Sequence, residues 1–569
     1  MVQLQRKKMR LGDILVKSET ITQEQLEEGL RQQRSSGKKL GETLVEAGIT
    51  TEDSIAVALA NQLGYNMVNL AETEPDKKLY EQFPQLTAAM LRKYSALPYE
   101  LDPNSPNILH VAMSDPMDMV AMDDIAMITN MQVEPMVTTA REIGQAIDKV
   151  FGTKDVDSKL NAYAEERKAK ENGKANEDDN SEIENSPVVV LVKSMIEQAV
   201  RQRTSDIHIE PMENGVRIRY RIDGTLFVRM NYSVQLLSAI IARIKIIGGM
   251  DISEKRKPQD GRITQVVDRQ EYDIRVSILP TVWGEKVVMR LTSKTGLTRQ
   301  KADLGFSPSE LKVFDHILAN PHGILLVTGP TGSGKSTTLY TALSELNSTE
   351  VNIITVEDPV EANIDGINQV QTNNKAGLTF ASALRSILRQ DPDIIMIGEI
   401  RDGETASIAV QASITGHMVV STLHTNSAAS TVTRLADMGI EPYLIADAVV
   451  GIIAQRLVRR LCPACKKEHI LTEEERELLE IKPGETVTVF EPCGCKMCDD
   501  TGYKGRIGVY EIMELSHELK LVISRNGSAD DIKEQALKDG MSTLRMSATR
   551  YVKAGITSIP EMVKVSFDA

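Results

Sequence analysis

Residues 323–337 read GILLVTGPTGSGKST, and the order of residue types in this stretch decides the fold. Ile324 to Thr328 form an uninterrupted apolar run of strand length, bounded by glycines, which reads as a buried strand. It runs directly into Gly329-Pro330-Thr331-Gly332-Ser333-Gly334-Lys335-Ser336, a match to G-x-x-x-x-G-K-[ST], and Thr337 to Leu346 then reads as a helix. In that setting the glycines let backbone N–H groups curl around a β-phosphate at a helix N-terminus. Lys335 neutralises β- and γ-phosphate oxygens, and Ser336 takes a Mg²⁺ position. Gly329 to Thr337 are therefore the candidate nucleoside triphosphate site.

The same rhythm continues on either side. The apolar runs in NIITVED, DIIMIGE and MVVSTLH alternate with helical segments, which predicts an α/β domain with a largely parallel, doubly wound sheet. Binding alone does not hydrolyse. DPDIIMIGEIRD supplies the next part, because the strand Ile394 to Ile397 carries Glu399 to the sheet edge where a Mg²⁺-bound water would sit. A second acidic pair, Glu357-Asp358, ends another apolar strand in IITVEDPVE. Two separated carboxylates can divide the work, one holding the metal shell while the other polarises the attacking water.

Together, TGPTGSGKST, ITVEDPVE, DPDIIMIGEIRDGETA and TGHMVVSTLHTNSA resemble the secretion ATPases of the type II secretion and type IV pilus superfamily, in the order Walker A, Asp box, Walker B and His box. The likeness extends over RTSDIHIEP, RYRIDG and EKRKPQDGRI and covers about 185–569. It implies a RecA-like P-loop ATPase domain over 301–569, with Glu357 as general base, Glu399 organising Mg²⁺ and His424 near the γ-phosphate. It implies that residues 187–300 form an α+β, PAS-like half of the motor. It further implies a homohexamer in which arginines of that half reach the nucleotide. Arg229 and Arg243 are the candidates, with Arg219 and Arg221 beside them; the alternative for each is a solvated strand face.

All five cysteines lie between Cys462 and Cys498. Cys462-Pro-Ala-Cys465 and Cys495-Lys-Met-Cys498 are two C-x-x-C knuckles, whose four thiolates can close a tetrahedral Zn²⁺ site; a redox pair is the other reading. Cys493 is the spare thiol. The surrounding RLVRRLCPAC and GCKMCDDTGYKGRIGVYE resemble the zinc-bearing extension of assembly and secretion motors, which retraction-type pilus motors generally lack.

Residues 154–186 are charged and almost free of large apolar side chains, which predicts a flexible linker, helical at most at its start. Upstream, 10–33 aligns with 39–62 at an offset of 29 residues, including Leu11-Gly12 with Leu40-Gly41, Leu26 with Ile55 and Gln33 with Gln62. Each copy reads as a short helix, a turn capped by Thr22 or Thr50, and a second helix. By spacing alone this is a duplicated helix pair that packs on itself. The duplication also resembles the MshEN module, which implies cyclic di-GMP binding through Arg10, Leu11, Gly12 and Gln33, then Lys39, Leu40, Gly41 and Gln62. Here the second copy departs from the motif with Lys39 in place of arginine. Residues 70–150 read as a smaller mixed module, which completes an N-terminal unit over 1–153.

The 569 residues carry 66 Lys plus Arg against 80 Asp plus Glu, a formal charge of −14, and 4% aromatic residues. A bulk nucleic-acid binder needs a positive field and stacking platforms, so no nucleic-acid partner is expected. No apolar run approaches the roughly 18 residues of a membrane span, and the basic N-terminus is followed by charges where a signal peptide needs an apolar core. The expectation is a cytoplasmic ATPase with ATP, Mg²⁺ and Zn²⁺, reaching the inner membrane through a platform protein and possessing a further cytosolic ring partner. The resemblance favours pilus assembly; type II secretion shares every motif, and a DNA-translocating ATPase is the reading from another class.

Overall fold

The computed structural model describes residues 11–151 except 19, 37–39, 47–48, 71–72, 74 and 104, and residues 187–566 except 269, 294–300 and 483–484. The expected linker, Arg10 and Lys39 lie outside the described residues, as does the side chain of Gln62.

The P-loop half is built on a seven-stranded sheet. Its order is Asn368–Gln371, Ile353–Glu357, Ile394–Ile397, Met418–Leu423, Gly323–Thr328, Val449–Leu461 and Tyr503–Glu514. The first six run parallel and the last is antiparallel to its neighbour. Gly323–Thr328, Ile353–Glu357, Ile394–Ile397 and Met418–Leu423 are buried at every position. Such continuous apolar strands are what helices on both faces of a parallel sheet require. Side chains of one strand accordingly feed two cores: Ile324 and Leu326 join one, Leu325 and Val327 the other. Each such side chain contributes roughly 1.5–3 kcal/mol by leaving water. The helix after the P-loop starts at Lys335, two residues before the sequence-based start, and runs to Leu346.

The long antiparallel arm is the main departure from the expected pattern. Val449–Leu461 and Tyr503–Glu514 pair along nearly their whole length, and the cysteine loop closes their far end. RLVRRL, residues 456–461 leading into the first cysteine knuckle, is strand: Arg456, Val458 and Leu461 are buried, Arg459 is partly exposed and Arg460 exposed.

Residues 187–293 form a six-stranded antiparallel sheet in the order Thr225–Tyr232, Gly215–Ile222, Thr204–Met212, Gly284–Ser293, Gln270–Thr281, Gln259–Val267. Helices Pro187–Arg201 and Leu237–Ile247 cover its apolar face. In Gly215–Ile222 the period of two is strict: Val216, Ile218, Tyr220 and Ile222 are buried, and Arg217, Arg219 and Arg221 share the opposite face.

The tandem repeat forms four helices, Leu11–Lys17, Gln23–Ser36, Leu40–Glu46 and Glu52–Leu63. Leu11–Lys17 packs on Glu52–Leu63 and Leu40–Glu46 on Gln23–Ser36, so the first helix of each copy meets the second helix of the other. Thr22 caps as expected, accepting from the N–H of Gln25 while the Gln25 side chain accepts from Thr22 N–H. In the second copy the cap is Thr51, which accepts from Ser54 N–H, and not Thr50. The repeat offset of 29 maps Thr22 onto Thr51, so the symmetry holds where the first reading slipped by one residue. A three-stranded sheet, Ala96–Asp102, Ser105–Met113 and Gln132–Val137, follows. Among the described residues no helix is long and apolar enough to cross a membrane.

Candidate active site

Parallel strands all end at one edge, and the chemistry collects there. Register aligns Thr328 with Leu423, Ile397 with Ser421, and Val356 with Ile397. The P-loop after Thr328, His424 after Leu423, Glu399 after Ile397 and Glu357 therefore leave the sheet at its carboxyl edge, the position at which doubly wound folds bind ligands.

Lys335 Nζ donates to the carbonyls of Gly329 (2.7 Å) and Pro330 (3.1 Å). Burial, with the Arg456 guanidinium adding to it and Glu399 opposing it, pushes its ammonium down to about 8. Behind the loop, Gln455 accepts from Thr338 Oγ1 at 2.8 Å, and a Cβ at Gly329 would stand 2.5 Å from the Gln455 carbonyl. Only glycine fits that approach. Ser333 Oγ and Thr328 Oγ1 are buried without a hydrogen-bond partner among the described residues, so the cradle presents polar atoms that its own chain does not satisfy.

Glu399 and His424 come together: His424 Nε2 lies 3.5 Å from Glu399 Oε2. The other Glu399 oxygen pairs with Arg401, whose Nη1 is 4.0 Å from Asp358 Oδ2. Ser336 is exposed at the start of the P-loop helix. Glu357 is only 3% exposed, and three donors hold it: Thr355 Oγ1 (2.6 Å) and Gln369 Nε2 (3.0 Å) on Oε1, and Tyr340 on Oε2. Burial and the adjacent Glu357 charge raise the Tyr340 phenol, so it stays a donor.

Sequence reading missed this holding set. Arg401 stands two residues after Glu399 and was legible there. Thr355, two residues before Glu357 on the same strand, was legible from the strand period, whereas Gln369 on the adjacent strand and Tyr340 on the P-loop helix become neighbours of Glu357 only in the assembled fold.

Arg229 and Arg243 stay within their own domain. The Arg229 guanidinium sits 5.6 Å from the Phe227 ring centroid on the edge strand, and Arg243 is half-buried on helix Leu237–Ile247. Arg219 pairs with Glu210 at 2.6 Å and Arg221 approaches Asp206 at 3.6 Å. An arginine that does cross to the P-loop half is Arg275, whose Nη1 and Nη2 meet the Glu361 carboxylate at 3.3 and 2.9 Å. Asp223 makes a second crossing, accepting from Gly505 N–H at 2.9 Å.

The four knuckle cysteines converge. Sγ–Sγ separations are 3.8 Å for Cys462 and Cys495, 3.8 Å for Cys465 and Cys498, and 3.7 Å for Cys495 and Cys498. Zn–S bonds of about 2.3 Å at tetrahedral angles require sulfurs about 3.8 Å apart, so the set fits zinc. Backbone N–H groups of Gly494, Cys495 and Gly502 donate to the sulfurs, as thiolates want. Cys493 is exposed and outside the cluster.

In the tandem repeat, Gly12 and Gly41 are buried. A Cβ at Gly12 would stand 2.5 Å from Leu26 Cδ1, and one at Gly41 3.1 Å from Ile55 Cγ2, where Leu26 and Ile55 are equivalent in the two copies. These glycines let helices approach each other.

Comparisons with known proteins place this geometry. The Type II/IV secretion system protein family matches residues 181–564, and the MshEN domain family matches 63–157, which is the three-stranded module rather than the repeat at 10–62. The type IV pilus assembly ATPase PilB of Myxococcus xanthus is 43% identical, over 97% of this chain and 98% of its own. The type II secretion system protein E of Klebsiella pneumoniae is 46% identical over 67% of this chain and 76% of its own. Among solved structures, the Legionella pneumophila ATPase DotB superposes with a TM-score of 0.51 at 23% identity over 67% of this chain and 96% of its own, which supports the fold. With the P-loop edge, its paired acids and the cysteine knuckles all inside the matched region, this chain belongs to the Type II/IV secretion system protein family.

Proposed function

We propose that this chain is an ATP-hydrolysing motor, working as a homohexamer, that powers type IV pilus assembly. The observation that carries it is the convergence of Lys335, Glu399 and His424 at one sheet edge, in a chain that aligns end to end with a pilus assembly ATPase. Type II secretion relatives align over 67% of this chain. Their 46% identity over that part keeps type II secretion as the second reading.

In this reading the N–H groups from Gly329 to Thr337 and the Lys335 ammonium hold the β- and γ-phosphates, exchanging the carbonyls that Lys335 now caps. Ser336 and Glu399 hold Mg²⁺, which neutralises phosphate charge. Glu357 takes the proton of the attacking water: its three donors leave one lone-pair direction of Oε2 open. His424 bonds the γ-phosphate, and Arg229 and Arg243 bring cationic charge to it when the 187–293 domain closes. Cys462, Cys465, Cys495 and Cys498 hold a structural Zn²⁺. Cyclic di-GMP regulates the motor through Arg10, Leu11, Gly12, Gln33, Lys39, Leu40, Gly41 and Gln62. For Gly12 and Gly41 this means contact through the backbone, since their Cα faces pack on Leu26 and Ile55. The motor works at the cytoplasmic face of the inner membrane, held there by a platform protein and a cytosolic ring protein.

The test replaces Glu357 with alanine on the chromosome and measures phosphate release by the purified protein and surface pili on the cells. Loss of both is expected. Pili at wild-type number sink the assignment, and lost protein secretion with pili retained favours the second reading. DNA-stimulated turnover would support the translocase class instead. Calorimetry of the full chain with cyclic di-GMP tests the repeat, with no heat counting against it.

A further inference from the structure

The three-stranded sheet of residues 96–137 gathers ligand-type side chains that the motor chemistry does not use. Ser105–Met113 is its central strand, and register places His110 opposite Glu100 on one neighbour and opposite Glu134 on the other. Asp102, two residues beyond Glu100, falls on the same face. The sheet thus brings one imidazole and three carboxylates to a single spot.

Their arrangement is directional. His110 is 8% exposed. Its Nδ1 bonds Glu100 Oε1 at 3.3 Å, and a proton on Nδ1 leaves the Nε2 lone pair facing the other two acids. Nε2 stands 3.4 Å from Asp102 Oδ2 and 3.7 Å from Glu134 Oε2. Asp102 is oriented in the same way, because Ser105 N–H binds Oδ1 at 2.8 Å and turns Oδ2 toward the imidazole. The three ligand atoms lie within 4.8 Å of one another.

A metal with M–N and M–O bonds of about 2.0–2.2 Å at tetrahedral angles requires its N and O ligands about 3.3–3.6 Å apart. The two separations from Nε2, 3.4 Å to Asp102 Oδ2 and 3.7 Å to Glu134 Oε2, match that spacing to about 0.1 Å. The Glu100–His110 contact is the outer-sphere carboxylate–histidine pair that fixes ring orientation and raises ligand basicity at metal centres.

We propose that His110 Nε2, Asp102 Oδ2 and Glu134 Oε2 form a second metal site for a divalent transition ion such as zinc, with Glu100 as the positioning residue and solvent in the fourth position. The imidazole-plus-carboxylate set suits zinc or cobalt and is distinct from the thiolate site at Cys462 to Cys498. Binding there cross-links all three strands of the module.

The experiment uses the full chain, loaded with zinc, passed through metal-free buffer and counted by elemental mass spectrometry. Two equivalents are expected for the unaltered protein. One is expected for His110→Ala and for the double variant Asp102→Asn with Glu134→Gln, whose near-isosteric changes at partly exposed side chains (23% and 45%) keep the test open if His110→Ala fails to fold. Cobalt loading separates the sites: Cys495→Ser with Cys498→Ser should lose the thiolate-to-cobalt absorption in the near ultraviolet and keep weak visible bands that the double variant loses. A single equivalent in the unaltered protein overturns the proposal, as does a second equivalent that survives in the double variant.

Discussion

At the scale of single residues, the site depends on how burial and neighbours set two side chains. Glu357 is buried and oriented by three donors, so Glu357→Gln should keep nucleotide binding and lower turnover by at least about 100-fold, read by phosphate release beside fluorescent-nucleotide affinity. Tyr340→Phe removes one donor without changing the strand, and should lower kcat with a smaller effect on nucleotide affinity. Lys335 carries a different signature. Its ammonium is pushed down to about 8 by burial, while a phosphate favours the charged form. Below pH 8 the free protein already holds the proton. As pH rises through about 8 the free lysine loses it and binding must take it back, so affinity should fall by up to about tenfold per pH unit. Calorimetry at pH 8.5 in two buffers of different ionisation enthalpy should show proton uptake, and equal heats would exclude it.

At the scale of elements, the antiparallel arm is tied to the last helix by a buried ion pair. Arg459 on Val449–Leu461 bonds Glu561 on Ile559–Ser566 through Nη2 at 2.8 Å and Nε at 3.1 Å, with side chains 17% and 6% exposed. Burial alone would raise the Glu561 carboxyl; Arg459 and Lys564 outweigh it and hold it low. A folded value below the unfolded one gives stability that is present above pH 4.5 and lost as pH falls through the folded value. Removing one partner strands the other, so Glu561→Gln should cost about 3 kcal/mol at neutral pH, measured by denaturant unfolding of the arm. The strand character of RLVRRL was hidden in the sequence by charge: Arg456 is buried and Arg459 nearly so, at positions a buried strand would give to apolar residues, and Glu561 lies about a hundred positions away.

At the scale of the whole molecule, the contacts between halves concern coupling. Arg275 reaches from the antiparallel sheet to Glu361, just beyond the strand that ends in Glu357. Both partners are about one-third exposed, so the pair contributes no more than about 1 kcal/mol. Its effect should appear as coupling. Arg275→Glu and Glu361→Arg singly should each lower turnover severalfold, and the exchanged pair should recover part of it, a coupling energy of about 0.5–1 kcal/mol in a double-mutant cycle. Strict additivity would remove this contact from the transmission of domain closure.

What the sequence determined by itself is whatever local pattern encodes. The buried strand into a glycine-rich turn, Glu399 two residues beyond a four-residue apolar run, the cysteine knuckles and the 29-residue repeat are all periodic or contiguous signals, and the structure has each of them in place. Tertiary structure alone decided the neighbours. Strand order placed Gln369 and Tyr340 on Glu357, set Arg275 rather than Arg229 or Arg243 against the P-loop half within one chain, and made His110 the centre of three carboxylates. The physical reason is that pairing between strands joined by long crossovers, and packing of one element or domain on another, are properties of the assembled core that no spacing along the chain records; only the Glu100–His110 pair lies within a short antiparallel hairpin.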